Sequence, residues 1–83
     1  MLTYFVVQSF DRTRLGFLVP DIPVQAQDRA HALRLADRLA GMKSGVIAFS
    51  RTGDPSIGEF EDAVVIASYG EVPALEGELA IAS

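Results

Sequence analysis

His31 is the single imidazole in a chain of 83 residues that holds no cysteine. A zinc site would therefore need carboxylates for most of its ligands, which is uncommon. By helical spacing the carboxylate near His31 is Asp28, and no nucleophile stands beside the pair. An imidazole without an orienting partner is a poor base and a poor ligand. A surface histidine is expected here. Ser9, Ser50 and Ser68 fall in or beside strand-like runs, without the glycine-flanked turn that exposes a nucleophile. No glycine loop is suited to cradle a phosphate. The chain is not expected to be an enzyme, and no cofactor is implied.

Two polar groups remain. Asp54, Ser56, Glu59, Glu61 and Asp62 gather oxygen atoms in one short stretch, as a calcium loop would. Their spacing lacks the D-x-D-x-D-G order that wraps such a cation, so a solvated hairpin tip is expected. Arg29, Arg34 and Arg38 recur on the outer side of a helical period, with Lys43 just beyond and Arg12 and Arg14 in an earlier loop. They form the candidate anion- or nucleic-acid-binding face, although Asp37 interrupts the row.

The charge balance is lopsided around a net of −4. Residues 1–53 hold all seven basic side chains against four aspartates, a net of +3, whereas residues 54–83 hold seven carboxylates and no base. Ordinary solvation explains such poles, and so does contact with a neighbour's opposite pole. No run approaches the roughly 18 apolar residues of a membrane span. The N-terminal stretch lacks a basic region and a small-residue cleavage site, and a cytoplasmic location is the default expectation.

The elements that must position these residues centre on residues 28–42, the one stretch with a clear helical period. Ala32, Leu35, Ala36, Leu39 and Met42 share one side, flanked by Leu33 and Ala40. Asp28 suits the N-cap, and Gly41 suits a left-handed closure with Arg38 and Lys43 near the negative end of the dipole. Before the helix, residues 2–10 read as a central strand, apolar on both faces. Residues 11–14 read as a hairpin loop. From residue 15 to residue 27 a second strand runs along an edge, because Pro20 and Pro23 lack the N–H that a central strand donates. After the helix come a turn at Ser44 and Gly45, a third strand at residues 46–51, a long loop at 52–58 and a fourth strand at residues 60–69.

Two β-hairpins flanking one helix give an α+β fold in ββαββ order. A four-stranded antiparallel sheet with the helix on one face is expected, in the order 2-1-3-4, with 2-1-4-3 as the alternative. Residues 1–71 form the single domain, and residues 72–83 are expected to be a flexible or weakly helical tail. One helix covers only one face of the sheet, yet both faces carry apolar side chains. Each large group left wet forgoes about 1.5–3 kcal/mol. A small domain without disulfides commonly gains stability by association. A homodimer is therefore expected, through the open sheet face or the edge of the fourth strand. Face-to-face stacking is the preferred arrangement, with Phe5, Val7, Val65 and Tyr69 as the candidate interface and Leu75, Leu79 and Ile81 of the tail as an alternative cover.

The run Tyr4-Phe5-Val6-Val7-Gln8-Ser9-Phe10 resembles the first strand of the peptidoglycan-binding sporulation-related repeat, and the following helix resembles that family's first helix. In that family the helix follows the strand almost directly and a second helix comes later. Here a proline-bearing strand intervenes and the later helix is missing, so membership is not inferred. The chain reads as a small cytoplasmic self-associating or protein-interaction module. The alternatives are an anion or nucleic-acid binder using the arginine face, and a small-molecule binder or enzyme at a dimer cleft.

Overall fold

Consecutive β-branched and aromatic side chains near the N-terminus build the longest strand. In a computed structural model of the protein, which describes residues 1–73, this strand β1 spans Leu2–Arg12. On one side β1 pairs with two short strands, β2 (Leu18–Pro20) and β3 (Val24–Ala26). On its other side it pairs with β4 (Gly45–Asp54), from Leu2 opposite Gly53 to Phe10 opposite Gly45. Beyond β4 lie β5 (Glu59–Phe60) and β6 (Val64–Gly70). All pairings are antiparallel, and with the single helix α1 (Arg29–Ala40) the fold is α+β.

The sheet has six strands where four were expected, in the path β2-β1-β4-β5, with β3 also beside β1 and β6 also beside β4. The differences have local causes. The expected second strand is cut into β2 and β3 at Asp21, Ile22 and Pro23, where neither Pro20 nor Pro23 can donate to the ladder. The expected fourth strand is cut into β5 and β6 at Glu61–Ala63, and β6 slips register by a bulge opposite Ala48 and Phe49. The first loop lies later than residues 11–14. It closes at Thr13, whose N–H donates to the Phe17 carbonyl at 2.7 Å, with Gly16 at a φ of +89°. Leu15, expected to open the second strand, lies on this turn and is exposed.

The helix begins as its sequence implies. Asp28 is the N-cap, and its Oδ1 accepts the His31 N–H at 2.8 Å. Ala32, Leu35 and Ala36 are buried, whereas Met42 lies past the last turn and is exposed. The C-terminus departs from the expectation. Gly41 is right-handed (φ −81°, ψ −8°), and its N–H points to the carbonyls of Arg38 and Leu39. The Met42 and Lys43 N–H groups both donate to the Leu39 carbonyl at 2.9 Å. A tightened last turn thus satisfies the Arg38 and Leu39 carbonyls without a left-handed residue.

Two apolar clusters flank the sheet. On the helix side Val7, Ala26, Ala32, Leu35, Ala36, Val46 and Ala48 are buried, with Phe5, Leu39, Ile66 and Tyr69 packed around them. Alanines at the contact let the helix approach closely. On the far side Phe10, Ile47 and Phe49 are buried under Val6, Leu18, Ala63 and Val72. Among the described residues no helix is long and apolar enough to cross a membrane. The tail expected at residues 72–83 falls, from residue 74 onward, outside the described residues, as do Leu75, Leu79 and Ile81.

Candidate functional site

A strand alternates its side chains between the two faces, so register decides what meets on the face away from the helix. Val6 lies opposite both Phe49 of β4 and Gln25 of β3, and Tyr4 lies opposite Arg51. These rows line a groove with a cavity volume of about 340 Å³, completed by Pro23 and Phe60. Phe60 is brought over the sheet by β5, where it lies opposite Gly53. A Cβ at residue 53 would come within 2.4 Å of the Phe60 ring, so only glycine lets that ring lie down. The Phe60 and Tyr4 rings are 6.0 Å apart and tilted by 48°. The Arg51 guanidinium stands 5.5 Å from the Phe60 centroid, a cation–π contact, and its Nε donates to the Glu61 carbonyl at 3.4 Å. The groove is thus aromatic and apolar in its floor, with one cation on its rim.

The other end of the sheet is tied by charge. Lys43 Nζ reaches Asp11 at 3.0 Å and Asp21 at 2.9 Å, joining the segment after the helix to β1 and to the break between β2 and β3. The hydrogen bond from Lys43 holds the Asp21 carboxyl below its ordinary value, helped by the Ile22 N–H. Hydrogen bonds to Asp21 and Asp11 raise Lys43 in turn. Beneath this brace the buried Gln8 amide donates to the carbonyls of Ser9 and Asp21, while its Oε1 has no hydrogen-bond partner. Arg12 and Glu71 form a two-pronged pair, at 3.1 Å from Nε to Oε1 and 2.8 Å from Nη2 to Oε2.

The residues singled out by sequence separate in space. Phe5, Val7 and Tyr69 pack on the helix side, and Val65 alone lies opposite Phe49 on the far side. Arg29, Arg34 and Arg38 are exposed on α1, with Asp37 exposed between them. His31 has a structural partner: its Nδ1 accepts the Gln27 N–H at 3.0 Å, closing the turn into the helix. Asp54 accepts both the N–H and the hydroxyl of Ser56, at 3.0 and 2.6 Å, and these bonds lower its pKa. Among the described residues no three histidines, cysteines or carboxylates converge as metal ligands. Sequence reading missed Tyr4, Val6, Pro23, Gln25, Arg51 and Phe60 as a set. The pairing of Tyr4 with Arg51 follows only from the register of β1 on β4. No protein-family model, curated protein or solved structure matches the chain.

Proposed function

We propose that the protein is a self-associating module whose copies pair through the outer edge of β6, forming one continuous antiparallel sheet. The contrast between the two sheet edges carries this reading. The edge made by β2 and β3 is short, broken and guarded by Pro20 and Pro23. The edge made by β6 runs seven residues, Val64–Gly70, with neither a charge nor a proline, and Val64 and Val65 are 59% and 43% exposed. An unguarded apolar edge of that length is a template for another strand. A two-fold axis makes antiparallel β6–β6 pairing self-complementary.

Such pairing brings the acids beside Asp62 toward Glu71 of the second copy, which is unfavourable by itself. Arg12, already clasping the Glu71 carboxylate, supplies the compensating charge. Face-to-face stacking is the weaker choice, since Phe10, Ile47 and Phe49 already lie under Leu18, Ala63 and Val72. Light scattering at tens of micromolar tests the proposal. The expected mass is that of a dimer, falling to a monomer in the Val64→Lys, Val65→Lys double variant. A wild-type monomer at that concentration, or a double variant that still dimerises, contradicts it.

A further inference from the structure

The run between β2 and β3 is held to the sheet far less firmly than its neighbours. It meets β1 in two short pairings, at Phe10–Arg12 and at Phe5–Val7, and Pro20 and Pro23 interrupt the ladder between them. Leu18 and Ala26, at the two ends, pack into the apolar clusters. Every residue from Val19 to Gln25 is exposed. On its other side β1 pairs with β4 from Leu2 to Phe10, over side chains buried on both faces.

The middle of the run hangs on Asp21. Its N–H donates to the Ser9 carbonyl at 2.9 Å, and its own carbonyl accepts the Gln8 side-chain amide. Its Oδ2 accepts Lys43 Nζ at 2.9 Å, and Lys43 also holds Asp11 of β1 at 3.0 Å. Lys43 stands between the end of α1 and the start of β4, so it ties the run to the buried part of the molecule. Closure carries a cost beneath this point. Gln8 is fully buried, and its Oε1 has no hydrogen-bond partner among the described residues. Such an acceptor is less stable than one that water can reach. Segments with little apolar burial and exposed backbone bonds open at lower free energy than the core.

We propose that residues 19–25 form a strap, hinged at Leu18 and Ala26, which opens from β1 while the rest of the sheet stays folded, with Lys43 on Asp21 as its latch. Opening admits water to the Gln8 amide and bares the outer edge of β1 from Val6 to Asp11. The strap is then a removable guard on an edge that could otherwise accept another strand.

Amide hydrogen exchange of the full chain, followed by NMR at rising but sub-denaturing urea, tests this. The Asp21 amide and the other bonded strap amides should exchange at least about tenfold faster than those of β4. Their rates should depend little on urea, because opening a strap exposes little surface. Lys43→Gln should speed the strap about fivefold, whereas Leu39→Ala should speed β4 and leave the strap unchanged. Strap amides that follow the β4 rate and urea dependence overturn the proposal, as does a strap unmoved by Lys43→Gln. None of these outcomes depends on pairing at β6, which lies at the opposite edge.

Discussion

Gly45 lies opposite both Phe10 and Gly70, at the crowded end of the sheet. A Cβ there would meet the Glu71 carbonyl oxygen at 1.6 Å. Gly45→Ala should therefore force the strands apart, at a cost of at least about 1–3 kcal/mol, read as a lower urea midpoint. An unchanged midpoint would mean that Glu71 does not sit against β4. Lys43 makes a second test at this scale. A depressed Asp21 carboxyl contributes stability above its unfolded pKa and loses it as pH falls through the lower folded value. A raised Lys43 contributes below its ordinary 10.5 and loses it only as pH rises beyond that. The brace thus holds across neutral pH and fails in acid, below the ordinary aspartate value of 3.8. NMR titration should place Asp21 below 3.8, with a return toward that value in Lys43→Gln. An Asp21 midpoint unaffected by Lys43→Gln would remove the pairing.

At the scale of elements, α1 is held by a narrow stripe in which Leu35 is the largest buried side chain. Leu35→Ala should cost about 2–5 kcal/mol, whereas Leu39, only half-buried, should cost less. A loss under about 0.5 kcal/mol at Leu35 in chemical denaturation would misplace the helix. The opposite face of the same helix gives a negative expectation. Arg29, Arg34 and Arg38 are interrupted by Asp37 on an acidic protein, so no binding to DNA or RNA is expected near physiological salt. A tight complex, weakened by salt and by Arg34→Glu with Arg38→Glu, would reverse that. The helix was legible because its period and its Asp28 cap agree. The faces of the sheet were not. Tyr4, Phe5, Val6 and Val7 are apolar in succession, so no alternation marks which side meets the helix. Only the ladder to β4 sends Phe5 and Val7 inward and leaves Tyr4 and Val6 to the groove. The prolines marked an edge correctly but could not show that it would split into β2 and β3. The groove was illegible for a further reason: Phe60 reaches it through a two-residue strand that depends on Gly53.

At the scale of the whole molecule, the described residues give the sheet one proline-guarded edge and one edge, β6, with neither charge nor proline, so the proposed growth has one direction. The proposed pairing at β6 would close a dimer about a two-fold axis and leave the guarded edges outside, which would stop growth. Amide hydrogen exchange along β6 is the most direct test, because every second N–H of that strand points away from β4. At tens of micromolar those outward amides should be protected alongside the inward ones, and dilution should release the outward set alone. Fast exchange of the outward amides at every concentration, with β4 still protected, would contradict pairing through β6.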